Sequence, residues 1–178
     1  MDKSKVIVIC GPTASGKTAL SIELAKKING EIISCDSMQI YKYMDIGTAK
    51  PTPEEQKEVK HHLIDFVEPD QRYSVAEYKK DAEKSIEEIL AKGKTPIIVG
   101  GTGLYVDSLI YGIEYPEIEL DEEYRKQLEK EANENGLESL YNRAKEIDSK
   151  AMEKISPNDK KRIIRVLEIY KATGKTKT

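Results

Sequence analysis

Apolar residues in this chain come either in short unbroken runs or at helical spacing, and the two patterns alternate along its first hundred residues. "KVIVIC" (Lys5 to Cys10) reads as a buried strand, and "KTALSIELAKKI" (Lys17 to Ile28) carries apolar residues at the period of a helix. "EIISC" (Glu31 to Cys35) is a second β-branched run, "HLIDFV" (His62 to Val67) a third, and "TPIIVGG" a fourth that ends in paired glycines. "SVAEYKKDAEKSIEEILAKGK" opens with a capping box, Ser74 with Glu77, and closes at Gly93, which predicts a helix from Val75 to Lys92. Strands alternating with helices imply an α/β fold, a P-loop-type parallel sheet flanked by helices, with ligands at the carboxyl ends of the strands.

"DSMQIYKYMDIGTAKPTPEEQ" interrupts this alternation with turn residues and no clean period, the mark of a functional loop. After "YGIEYPEIEL" the pattern changes to charged helices: Asp121 to Asn133, Leu137 to Ile147, and Asn158 to Thr173, with Asp121 and Asn158 as N-caps and Gly174 as a stop. The expected organisation is a P-loop α/β core over 1–112, a small all-helical insertion over 113–155, and a return toward the core over 156–178.

Composition sharpens this picture in three ways. At 178 residues, 38% hydrophobic and 34% charged, the chain suits one core domain with an attachment and a strongly solvated surface. Its apolar runs fall well short of the roughly 20 residues that span a bilayer, and the apolar stretch of "MDKSKVIVICG" is too short for a secretory signal, so a cytoplasmic protein without membrane contact is expected. Cys10 and Cys35 are too few for a disulfide framework or zinc site, and both end expected buried strands as small core residues. The net charge of −3 argues against a general nucleic-acid binder, yet residues 158–178 hold seven Lys or Arg against two acids, leaving 22 basic and 30 acidic residues elsewhere. A basic segment on an acidic chain suggests a local footprint for an anionic partner.

"GPTASGKT" (Gly11, Pro12, Thr13, Ala14, Ser15, Gly16, Lys17, Thr18) fits the phosphate-loop pattern at every fixed position, with a strand before it and a helix after. Backbone N–H groups of residues 13–18 would cradle a diphosphate, Lys17 would neutralise it, and the Thr18 hydroxyl would reach a magnesium ion. Asp36, directly after the second strand, would project into the crevice as a general base, a magnesium ligand, or merely a cap for the next turn. In "GGTGLY" (Gly100 to Tyr105) the glycines permit close backbone approach, and Thr102 heads the next helix with its hydroxyl inward. Apart from the strand ending in Asp36, no strand supplies a second acid of the kind nucleotide hydrolases use. His61 and His62 are adjacent, so in a strand they face opposite sides and cannot jointly grip a metal.

Taken in order, "GPTASGKT", "DSMQIYKYMDIGTAKP", "HHLID", "GGTGLY" and "NDKKRIIRVLEIY" closely resemble the tRNA dimethylallyltransferase family, from about residue 5 to the end of the chain. The resemblance implies a magnesium-dependent prenyltransferase whose P-loop holds dimethylallyl diphosphate. The acceptor it implies is N6 of the adenosine 3′ to the anticodon in the tRNA anticodon stem-loop, and pyrophosphate is released. It makes Asp36 the base, gives Thr102 a positioning role and Lys17 the stabilisation of the leaving diphosphate. It assigns tRNA contacts to Asp36, Ser37, Met38, Gln39, Thr102, Arg125, Lys161, Arg162, Ile163, Ile164 and Arg165. Family members continue well past "ATGKTKT", so the resemblance implies a C-terminally incomplete chain, here expected as a monomer. Adenylate isopentenyltransferases, which prenylate free adenine nucleotides, and P-loop small-molecule kinases are the competing expectations, with a catalytically idle RNA-binding module a third.

Overall fold

The computed structural model describes residues 5–113, 115 and 121–178, so most of "YGIEYPEIEL" lies outside the described residues. The chain divides into two compact units, Met1–Tyr115 and Pro116–Thr178.

In the first unit, β1 (Ile7–Cys10), β2 (Gly30–Cys35), β3 (His61–His62) and β4 (Thr95–Gly100) form one parallel sheet in the order β1-β4-β2-β3. The chain therefore crosses over between strands, and α1 (Lys17–Ile28), α2 (Pro53–Glu58) and α3 (Val75–Ala91) fall in the crossovers, with α4 (Gly103–Ile110) after β4. β2 and β4 occupy the middle, which explains their unbroken apolar character: Ile32, Ile33, Ile97 and Ile98 are buried on the two faces of the sheet. One face packs on α1 through Ile22 and Ala25, the other on α3 and α4 through Tyr78, Ala82, Ile89 and Tyr105. The paired strand ends come very close at Gly100, where a Cβ would lie 2.0 Å from the carbonyl oxygen of Cys35.

Local chemistry sets the element ends. Ser74 and Glu77 close the expected capping box on α3. Thr52 and Glu55 build a second one, with Pro53 at the first helical position, on α2, which the periodicity of so short a segment concealed. The expected third strand over His62–Val67 is corrected to two residues, because Leu63 (φ 58°) and Asp65 (φ 57°) take left-handed backbone that no strand can continue through. The chain after them is held instead by Phe66 and Val67, whose N–H groups donate to the carbonyl of Ile40.

The second unit is all helical: α5 (Glu122–Asn135), α6 (Glu138–Ile147), α7 (Ser149–Met152) and α8 (Lys160–Thr173). Asp121 caps α5 as expected, accepting from the Tyr124 N–H. At α8 the cap is Asp159 rather than Asn158, its carboxylate accepting from Arg162 N–H. Leu128, Leu140, Met152, Ile163 and Leu167 form the core of this unit, so α8 shares its apolar stripe with α5, α6 and α7. Ile164 and Glu168 are buried with that stripe, whereas Tyr170 is exposed. Buried Asp148 both caps α7 and accepts from the backbone of Lys177 and Thr178.

Candidate active site

The loop between β1 and α1 passes through left-handed backbone at Ala14 (φ 63°) and Gly16 (φ 80°) before the helix begins. This geometry leaves the first-turn N–H groups of α1 without intrahelical partners, facing the loop, which is the usual arrangement for holding phosphate. Lys17 Nζ donates to the carbonyl of Pro12 and so stays at the loop. Residues 12–16 are exposed, and Thr13–Thr18 form one wall of a cavity of about 310 Å³. Asp36 and Gly100, each at or just past a strand end, also line the cavity, and the loop after β2 contributes Gln39, Thr48, Ala49 and Pro51 to it. The P-loop and the acid after β2 are thus brought to one crevice at the carboxyl ends of the sheet.

Asp36 has two tasks available because it has two oxygens. Oδ1 accepts from the N–H of Met38 at 2.9 Å and of Gln39 at 3.4 Å, the turn-capping arrangement. Oδ2 receives no hydrogen bond from the described residues and belongs to a side chain that lines the cavity. The cap therefore orients the carboxylate rather than consuming it.

The loop that follows is ordered by two internal struts that sequence reasoning missed. Gln39 accepts from Ser34 Oγ through Oε1 and donates through Nε2 to the carbonyls of Thr48 and Ala49, tying the loop to β2. Lys50, whose side chain is only 3% exposed, donates to the Tyr41 carbonyl and pairs with Asp45 and Asp65. The signal was a Lys amid turn residues with acids five before and fifteen after, and such spacing looks like any solvated loop. Gln39, expected to touch the acceptor base, has its amide largely engaged in this way.

Thr102 is the N-cap residue of α4, but its side chain makes no capping hydrogen bond. Its Oγ1 accepts from the Ser37 N–H at 2.9 Å and donates to Ser37 Oγ at 3.3 Å, so it fixes the residue beside Asp36. Ser37, Met38 and Thr102 stand outside the cavity lining, and the Met38 side chain is exposed. Tyr78 stacks on Tyr105, with centroids 3.9 Å apart, and its hydroxyl donates to the Ser34 carbonyl. Cys35 lies buried there, and burial pushes its thiol up to about 11, which removes it from thiolate chemistry. Cys10, by contrast, is exposed at the end of edge strand β1, correcting the expectation of two core cysteines.

The adjacent histidines separate as expected in a strand. His61 lines the cavity with Nδ1 on the Val59 carbonyl, and burial lowers its pKa. His62 meets Glu31 at 2.7 Å at the opposite end of β2, where Lys92 and Lys94 also converge on that carboxylate. Among the described residues no group of three or more His, Cys, Asp or Glu stands ready to hold a metal. Thr18 and Asp36 do place a hydroxyl and a carboxylate on one phosphate-binding cavity, hard oxygen donors that fit magnesium shared with a diphosphate.

The expected RNA-contacting residues of the second unit fall into two groups. Lys161, Arg162 and Arg165 lie on the outer side of α8, whereas Ile163 and Ile164 are buried in its core and offer no side-chain surface. Arg125, on α5, is committed to an ion pair with Glu168.

A family model described as IPP transferase matches residues 39–178. The tRNA dimethylallyltransferase of Acetivibrio thermocellus is 62% identical over 170 residues, covering 96% of this chain and 54% of that protein. The protein of the same description from Thermoanaerobacter pseudethanolicus is 54% identical over 171 residues, with the same two shares. The chain thus spans about half the length of the curated relatives it matches. Among solved structures, a full-length tRNA isopentenylpyrophosphate transferase from Bacillus halodurans aligns with 49% identity and a TM-score of 0.63, covering 97% of this chain and 57% of that one. A eukaryotic dimethylallyltransferase acting on tRNA aligns with 37% identity and a TM-score of 0.82, covering 97% of this chain and 43% of that one.

Proposed function

Since the chain belongs to the IPP transferase family, we propose that it carries the catalytic half-site of a tRNA dimethylallyltransferase, moving a dimethylallyl group from its diphosphate to N6 of the adenosine 3′ to the anticodon. The observation that carries this reading is the single cavity in which a phosphate loop and an oriented carboxylate meet.

An exocyclic adenine amine is a weak nucleophile because its lone pair is delocalised into the ring, so its proton must leave as the new bond forms. Asp36 takes that proton on Oδ2 while Oδ1 stays on the Met38 and Gln39 N–H groups. The N6–C1 bond forms, the C1–O bond breaks, and the electron pair departs with pyrophosphate. Charge growing on that leaving group is met by the loop N–H groups and Lys17. Thr18, with Asp36 near by, would hold magnesium, which supplies further neutralisation of the diphosphate. Thr102 keeps Ser37 in place beside the acid. Because stacked adenine cannot reach such a crevice, the acceptor must be turned out of its loop, at a cost lower for a tRNA loop than for a duplex.

The test asks whose phosphates the loop holds and which adenine it serves. Dimethylallyl diphosphate with magnesium, ATP with magnesium, tRNA and AMP are offered side by side. Prenylated tRNA adenosine without ATP hydrolysis is expected. Prenylation of AMP in preference to tRNA, or phosphate release from ATP, would overturn the proposal.

A further inference from the structure

Residues 158–178 contain only two acids, and neither lies free on the cationic surface they interrupt. Asp159 caps α8 and pairs with Arg162. Glu168 is turned into the unit, its side chain 4% exposed, between Val166, Leu167 and the facing helix α5. There its two oxygens are met only by guanidinium groups among the contacts of the described residues. Arg125 Nη2, from α5, donates to Oε2 at 3.2 Å, and Nε stands 2.8 Å from Oε1 in an ion-pair contact whose N–H is not aimed along the line. Arg165, three residues earlier on α8, brings Nη1 to 3.6 Å from Oε2. Both arginines remain partly exposed, at 33% and 39%, so each has N–H donors left to face outward.

A buried carboxylate is costly, and an apolar side chain of similar size usually serves packing at least as well. Here packing alone would have favoured another Leu or Met, continuous with Val166 and Leu167. What an apolar residue could not do is fix two long cationic side chains from different helices at one place. Each such side chain otherwise samples many rotamers and loses that freedom on binding, and a carboxylate beneath them removes much of the loss beforehand. Planar guanidinium groups held with outward donors match the geometry of phosphate oxygens.

We infer that Glu168 is a positioning residue for RNA binding: it clamps Arg125 and Arg165 side by side so that both engage the phosphate backbone of the acceptor RNA. This inference rests on the proposed function, since it takes the partner to be RNA. Glu168 touches no RNA itself, and it acts on acceptor affinity, leaving the chemistry at the P-loop unaffected.

The experiment compares binding of an anticodon stem-loop RNA, with steady-state transfer to the same RNA, for the unmodified protein and for Glu168→Gln, which keeps size and removes charge. The expected result is about a tenfold weaker RNA affinity and a matching rise in the RNA KM, with kcat and the donor KM unchanged. In an Arg125→Gln/Arg165→Gln background the Glu168 substitution should add nothing. An unchanged RNA KM overturns the inference, and so does a loss that multiplies with that of the arginine variants, or one that falls equally on kcat and donor binding. The cycle of Arg125→Lys and Arg165→Lys tests the same point without altering the buried position: coupled losses support the clamp, independent ones overturn it. RNA binding by the unmodified protein that ignores Glu168→Gln defeats this inference alone, whereas no RNA binding at all defeats the proposed function with it.

Discussion

On the proposed function Asp36 concentrates the chemistry in one side chain whose oxygens have different surroundings, and substitutions can separate them. Asp36→Asn retains an oxygen for the Met38 and Gln39 N–H groups but cannot take a proton. Its transfer rate should fall by roughly 10²–10⁴ with donor affinity nearly unchanged, read by single-turnover transfer and donor titration. Asp36→Ala also loses the turn, so it should additionally weaken binding of the acceptor. Equal loss of donor affinity in both variants would make Asp36 chiefly a magnesium ligand. The sequence alone made this residue a candidate, because an acid directly after a buried strand near a P-loop has few places to go. It left base, ligand and cap as alternatives, since all three need the same residue type, and only the hydrogen bonds reveal that cap and base can coexist.

Among the elements, the close pairing of β2 with β4 carries the crevice, and its tightest point is Gly100. A methyl group there would meet the Cys35 carbonyl at 2.0 Å, so Gly100→Ala must spread the strand ends that support Asp36 and Thr102. Loss of about 1–3 kcal/mol or more is expected from urea unfolding, as for other overpacked sites. Ser74→Ala, which removes one arm of the capping box on α3, should cost about 1 kcal/mol in the same assay with no effect on transfer. The two strands and two long helices around this site were legible because buried parallel strands read as apolar runs, and capping boxes are spelled in sequence. β3 was overestimated because its left-handed turn begins at Leu63, a residue type that rarely adopts that backbone, inside a run of apolar residues that reads as a strand. The strut at Lys50 stayed hidden for a related reason: its partners are set by how the loop folds back, which no local period encodes.

At the scale of the whole molecule, charge is distributed so that each end of the sheet has its own use. At the end away from the crevice, burial would raise the pKa of Glu31, but hydrogen bonds from Lys94, His62 and Lys92 outweigh it and hold the carboxyl at about 2 against an ordinary 4.5. A depressed folded-state pKa means this stabilisation is complete above about pH 4.5 and is lost as the pH falls through about 2. Urea unfolding over that window should show stability falling with acid in the unmodified protein and falling less in Glu31→Gln. In the second unit the proposed RNA partner would meet the basic residues of 158–178, so RNA affinity should drop steeply with salt. The family was legible from five motifs in order, since their residues are fixed by chemistry, whereas the commitment of Arg125 to Glu168 depends on helix packing that motifs do not describe. The most direct measurement of the central claim follows tRNA and donor together: dimethylallyl diphosphate labelled in the allyl group is incubated with magnesium and tRNA, and the digested nucleosides are weighed. One labelled group on N6 of the adenosine beside the anticodon is expected for each pyrophosphate released. Pyrophosphate freed without label in the RNA, or label on any other position, would contradict it.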